Sequence, residues 1–183
     1  MDSSSIIFKR RSIRKYKERP VDKDTLIHLV EAGMAAPTAC NNQPWEFIVI
    51  TENMDSLREN LYFGKYNAPA AIVVCGNMKL AKGGIQKYWV QDCSAAMENI
   101  LLAATEKGLG SVWIGLHPQP SAIKPVADYL ELPDYVVPLG IALVGYSDED
   151  KDARTQYNEK RVYWESYDQK RKHRTREKNM KFL

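Results

Sequence analysis

Apolar positions recur at helical spacing in two long stretches of the chain. After Asp22, the residues Leu26, Leu29, Val30 and Gly33 fall three to four apart, which predicts an amphipathic helix capped by Asp22 and stopped by Pro37. Between Gln86 and Lys107, Trp89, Val90, Cys93, Ala96, Met97, Ile100, Leu101 and Ala104 form a wide apolar stripe, with Gly108 as its stop. A stripe that wide calls for a core or a partner subunit. Shorter helices are predicted over Ser4–Arg10, over Asp55–Leu61, and from Pro120 through Leu130. Apolar and β-branched runs predict strands at Trp45–Thr51, Ala70–Cys75, Ser111–Leu116 and Val136–Val144. The strands are few, lie among longer helices and do not alternate as regular βαβ units. The pattern therefore predicts an α+β fold, one sheet covered by helices, with no internal repeat and no interdomain linker.

Composition narrows this picture. A chain of 183 residues with 44% apolar and 27% charged residues suits one domain with a genuine core. No run approaches the roughly 18 apolar residues that span a bilayer, and Met1–Ile7 lacks a signal-peptide pattern. The expectation is a cytoplasmic protein without a membrane partner. Cys40, Cys75 and Cys93 are odd in number and widely spaced, which fits reduced thiols rather than a disulfide framework. The histidines are His28, His117 and His173, without CxxC or HExxH, so no metal site is expected.

Charge is uneven. The net charge is +3, yet residues 168–183 carry seven basic and two acidic side chains, which leaves the remainder slightly negative. We therefore expect a body over 1–167 and a basic tail over 168–183. The near-neutral body argues against nucleic acid as a partner. For the tail three roles stay open: a helix gripping a partner subunit, a solvated segment, or a steering patch for the phosphates of a ligand.

The common nucleotide and hydrolase motifs are missing. GxxxxGK[ST] and GxSxG are absent, and Trp113 breaks the GxGxxG that Gly108 and Gly110 would begin. Three segments stand out instead. In Arg10-Arg11-Ser12-Ile13-Arg14, the alternate residues Arg10, Ser12 and Arg14 of an extended backbone would converge on one anion, and guanidinium forks suit phosphate. A solvated basic turn is the plainer reading of that segment. Pro37-Thr38-Ala39-Cys40-Asn41-Asn42-Gln43-Pro44 is a proline-bounded loop whose amides both donate and accept, as the edge of a flavin ring requires; a hydrogen-bonded turn before a strand reads equally well. Gly108-Leu109-Gly110-Ser111-Val112-Trp113-Ile114-Gly115 allows close approach to backbone, or simply ends a helix before a buried strand.

Taken in order, RRSIR at 10–14, APTACNNQPWEF at 36–47, APAAIVV at 68–74, GLGSVWIG at 108–115 and VPLGIALVGY at 137–146 resemble the FMN-dependent nitroreductase family, from about Ile6 to Trp164. The resemblance implies a central, mostly antiparallel sheet flanked by helices, and an intertwined homodimer with FMN at each subunit interface. It places Arg10, Arg11, Ser12 and Arg14 in the element that grips the flavin phosphate and ring edge. Pro37, Thr38, Ala39 and Asn41 fall in the loop that covers the flavin from the other subunit, and Trp113, Ile114 and Gly115 beside the ring. Lys160 and Arg161 match a late basic position near the phosphate, and Asn67 is the candidate for a mid-chain flavin contact. Thr38-Ala39 departs from the pair of serines common there.

The implied activity is an NAD(P)H oxidoreductase that passes hydride through FMN to nitroaromatics, quinones or similar acceptors, in ping-pong order. The flavin carries the chemistry, so no catalytic side chain is expected. Trp113, Tyr62, Phe63 and Tyr66 are candidates for shaping the acceptor pocket, and His117 for protonating a product; core packing and a proline-flanked turn are the plainer readings. The alternative function is a flavin carrier or redox sensor without substantial turnover.

Overall fold

The computed structural model describes residues 4–81 and 85–170. The chain divides into two compact units, Met1–Ala153 and Arg154–Leu183. Residues 171–183, most of the expected basic tail, lie outside the described residues.

The first unit is α+β. Its strands are β1 (Trp45–Ile50), β2 (Ala70–Asn77), β3 (Gly110–Gly115) and β4 (Val136–Gly145). They form a four-stranded sheet in the order β1-β2-β4-β3, and every neighbouring pair is antiparallel. The helices are α1 (Ile6–Lys9), α2 (Lys23–Met34), α3 (Met54–Glu59), α4 (Trp89–Glu106) and α5 (Pro120–Tyr129). β2 and β4 are central and covered on both faces, which explains why they read as unbroken apolar runs. Side-chain alternation along β2 sorts the core into two layers. Ala70, Ile72 and Val74 pack with α2 and α4, whereas Ala71, Val73 and Cys75 pack with α3 and α5. The β2–β4 register slips between Val74 and Cys75, whose partners are Gly140 and Pro138. Pro138 has no N–H to give a ladder, and a bulge is where a central strand tolerates such a residue.

Asp22 caps α2 as its position predicts: its carboxylate accepts from the Thr25 N–H and the Thr25 hydroxyl, both at 2.8 Å. α4 begins later than predicted, because Ile85–Tyr88 forms a 3-10 turn and the α-helix starts only at Trp89. β2 runs on to Asn77, beyond the predicted end at Cys75, and the Asn77 N–H donates to the Pro44 carbonyl at 2.6 Å. No helix among the described residues is long and apolar enough to cross a membrane.

Burial separates the cysteines. Cys75 and Cys93 lie wholly inside, and burial pushes both thiols up to about 12, while Cys40 is exposed. Since the thiolate is the reactive form, a thiol reagent at neutral pH should modify one thiol in the folded chain and all three after denaturation. Rapid loss of two or three thiols under native conditions, followed by absorbance, would show that the core opens readily.

Candidate functional site

The basic segment after α1 is an extended strand fixed from several sides. Ser12 bridges Ser111 at the free edge of β3 in parallel fashion, and the Ile13 N–H donates to the Ser111 carbonyl at 2.9 Å. On the opposite side runs the chain that leaves β4: Tyr16 bridges Ser147, the Lys17 N–H donates to the Tyr146 carbonyl, and the Asp148 N–H donates to the Lys15 carbonyl. Tyr16 is the buried anchor, 2% exposed, with its hydroxyl donating to the Ile13 carbonyl at 2.6 Å. Burial, reinforced by the Glu149 charge, raises its phenol above the usual tyrosine range.

Asn67 closes this bracket. Its Oδ1 accepts from the Tyr16 N–H at 3.1 Å and its Nδ2 donates to the Tyr16 carbonyl at 2.7 Å. The sequence suggested a flavin contact for Asn67; the structure places its amide on the backbone of the basic segment.

Two further side chains secure the same segment. Glu149 accepts from the Arg14 N–H at 2.6 Å, and Lys151 donates to the Ser12 carbonyl at 2.6 Å and to Glu149 at 2.9 Å. The Lys151 hydrogen bond first, and the Arg14 amide second, hold the Glu149 carboxyl below its ordinary value. The carboxylate's contribution is thus fully present above the ordinary glutamate value of 4.5 and is lost only as pH falls through the lower folded value.

The arginines then go to different neighbours. Arg10 pairs with Glu98 of α4 at 3.3 Å, while the Arg14 guanidinium, in an exposed residue, lies 5.9 Å from the Tyr66 ring centre. Arg11 donates to the Asp152 carbonyl. With Lys9 and Ile13 it lines a separate pocket of about 140 Å³ beside Gly108 and Gly110. Positions 9, 11 and 13 line that pocket, and Arg10, Ser12 and Arg14 stay out of it.

The amide loop is docked on the same helix. The buried Asp92 of α4 accepts from the Ala39 N–H at 2.9 Å, and Asn99, seven residues on, donates to the Ala32 carbonyl at 3.0 Å. Within the loop the Thr38 hydroxyl accepts from the Gln43 N–H at 3.2 Å, and Gln43 Nε2 donates to Asn41 Oδ1 at 3.1 Å. Cys40, Asn41 and Gln43 all adopt left-handed backbone, with φ of 50°, 54° and 48°. Glu98 and Asp92 are six residues apart, so the attachments of Arg10 and of the loop lie about 9 Å apart along the axis of α4.

At the end of β3, Trp113 is half-buried against Gly140, where any Cβ would collide with the indole Nε1 and lie 2.7 Å from the Ile114 carbonyl oxygen. The side chain of Ile114 is buried in the opposite layer. Gly115 is exposed, and a Cβ built there would have no heavy atom within 4 Å. Three buried side-chain atoms among the described residues have no hydrogen-bond partner: Arg11 Nε, Asp92 Oδ2 and Ser111 Oγ. His117 stacks edge-on against Trp89 with ring centres 4.8 Å apart. No cluster of His, Cys, Asp and Glu arranged to hold a metal ion occurs among the described residues.

In the second unit, Lys160 and Arg161 sit in a short 3-10 turn, Glu159–Arg161, capped by Asn158, whose Oδ1 accepts from the Lys160 N–H at 3.0 Å. The residues that sequence reasoning missed are Asp92, Glu149 and Lys151. Asp92 had a signal, a lone acid inside the apolar stripe of α4; Glu149 and Lys151 had none beyond membership of a polar run.

A family model described as the nitroreductase family matches residues 7–62 and 56–146. A protein of Archaeoglobus fulgidus, provisionally named NADH dehydrogenase/NAD(P)H nitroreductase, is 41% identical over 169 residues, covering 88% of this chain and 97% of that protein. The solved structure of an FMN-dependent nitroreductase from Clostridium difficile R20291 is 33% identical, with a TM-score of 0.80, and the match covers 90% of this chain and 99% of that one. A provisionally named nitroreductase from Desulfovibrio desulfuricans, crystallised in complex with FMN, is 25% identical with a TM-score of 0.74 over 92% of this chain and 99% of that one.

Proposed function

The chain belongs to the nitroreductase family, and on that premise we propose that it is an FMN-dependent NAD(P)H oxidoreductase acting as an intertwined homodimer in the cytoplasm. Its acceptors are nitroaromatics, quinones or similar electron-poor, flat molecules. When bound, FMN supplies the hydride acceptor and donor, loaded from NAD(P)H and discharged onto the acceptor at one shared site in ping-pong order.

The observation that carries this reading is the rigid mounting of the segment at 10–14. A phosphate site needs donors whose positions are set before the anion arrives, and here the backbone is fixed by β3, by Asn67 through Tyr16, and by Glu149 and Lys151. The remaining residues fit the group as well. Gly115 leaves an open, backbone-lined edge against which a flat ring can rest, and the loop at 37–43 is rich in amide donors and acceptors. Arg10 and Ser12 hold the phosphate. Arg14 supplies the cation that favours negative charge on the N1–C2=O edge of the ring. Pro37, Thr38, Ala39 and Asn41 cover the flavin of the partner subunit. Trp113 flanks the ring, and Tyr62, Phe63 and Tyr66 shape the acceptor pocket. The FMN of the Desulfovibrio structure and the NAD(P)H in the name of the Archaeoglobus protein support the cofactor pair.

Absorbance spectroscopy tests the reading. The purified protein, reconstituted with FMN if necessary, should show two visible flavin bands that bleach under anaerobic NADPH or NADH and return on adding a nitroaromatic or a quinone. Bands that never bleach would favour the carrier or sensor function. A protein that stays colourless after reconstitution would overturn the proposal.

A further inference from the structure

Backbone groups on an extended segment must find partners on both sides, or the segment frays. For residues 12–17 one side is the edge of β3, and the other is the chain at 146–152. The backbone ladder on that second side reaches Lys15 and Lys17 but stops short of Ser12 and Arg14, whose carbonyl and N–H are taken by side chains instead. Glu149 takes the Arg14 N–H and Lys151 the Ser12 carbonyl, each at 2.6 Å, and the two side chains join each other at 2.9 Å. The pair thus serves as one missing rung of a strand, built from side chains. It is itself held: the Glu149 N–H donates to the Ser147 hydroxyl at 3.2 Å, and that hydroxyl donates back to the Glu149 carbonyl. The pair's charges cancel locally, so the carboxylate beside Arg14 does not oppose an incoming dianion.

We propose that Glu149 and Lys151 are positioning residues that clamp the backbone of residues 12–14 so that Ser12 stands in the geometry that receives the phosphate of FMN, and so set the preference for the phosphorylated cofactor over riboflavin. The inference rests on the function proposed above. Neither residue touches the cofactor; both act through the backbone of the basic segment.

The test compares FMN and riboflavin binding, by quenching of flavin fluorescence, in the full-length protein and in Glu149→Gln, Lys151→Met and the double variant. Wild type should bind FMN more tightly than riboflavin. Each single variant should lose about tenfold in FMN affinity, the scale of one hydrogen bond to a charged group, while riboflavin affinity stays within about twofold. Lys151→Met should lose more than the double variant, because it alone leaves an uncompensated carboxylate against the segment that receives the phosphate. Glu149→Gln keeps the shape and an acceptor, so it reads the charge even if a harsher change impairs folding. Equal losses for both ligands would mean a general structural role and would overturn the inference. Unchanged selectivity in all variants, with wild type still preferring FMN, would overturn it and leave the proposed function standing. A wild-type protein that binds neither flavin would sink the proposed function itself.

Discussion

Ile100→Ala should lower the unfolding free energy by about 2–5 kcal/mol, the usual range for deleting most of a buried isoleucine. Ile100 is 0% exposed and sits midway along α4, in the core layer between that helix, α2 and the sheet. Leu29 of α2 and Ile72 of β2 belong to the same layer, and Ile100 lies so close to Gly33 of α2 that a Cβ there would stand 3.1 Å from its side chain, so the site is tightly packed. Ile100→Val removes only one methyl and should cost about 0.5–1.5 kcal/mol, which calibrates the first value. Urea unfolding at one fixed protein concentration measures both, and the concentration must be fixed because association would add to apparent stability. A loss below about 1 kcal/mol for the alanine variant would mean that α4 is not the centre of this layer.

Arg10→Ala should weaken FMN binding about tenfold to a hundredfold, as expected for losing hydrogen bonds between a guanidinium and a phosphate. On the proposed function Arg10 would meet the cofactor already oriented, because Glu98 of α4 holds its Nε at 3.3 Å. A lysine cannot reproduce that geometry, since it lacks the planar fork, and Arg10→Lys should recover only part of the affinity. Arg14→Ala should act differently: besides weakening binding, it should lower the reduction potential of the bound flavin, since a cation near the ring edge favours the reduced, negatively charged form. Fluorescence titration and a spectroscopic potential measurement separate the two arginines. If Arg14→Ala changes neither affinity nor potential, the cation for the ring edge is another residue.

How legible was this in the sequence? The elements were, because their causes are local. Asp22 in front of an apolar 3.6-residue period can do little else than cap α2, and the β-branched runs of β2 and β4 suit central strands. The order β1-β2-β4-β3 was not legible, since pairing depends on distant partners and no periodicity records it. The start of α4 was misread because the polar residues at Gln86 and Lys87 suit a 3-10 turn as well as a first helical turn. In the site, the motif residues were visible as types, but their supports were not. Asp92 interrupts an apolar stripe and could have been noticed. Glu149 and Lys151 bond to backbone far away in sequence, and a carboxylate or ammonium that does so leaves no trace among the charges of the run at 148–152.

The loop at 38–43 has a thermodynamic meaning of its own. Left-handed backbone costs a residue with a Cβ about 1–2 kcal/mol, asparagine somewhat less, and glycine almost nothing. Cys40, Asn41 and Gln43 all occupy it, so this short stretch withholds stability that three glycines would return. Mutation would readily find such glycines if folding alone were rewarded. Side chains stand where the backbone would favour none, so at Asn41 and Gln43 the loop holds its amides at a cost in folding free energy.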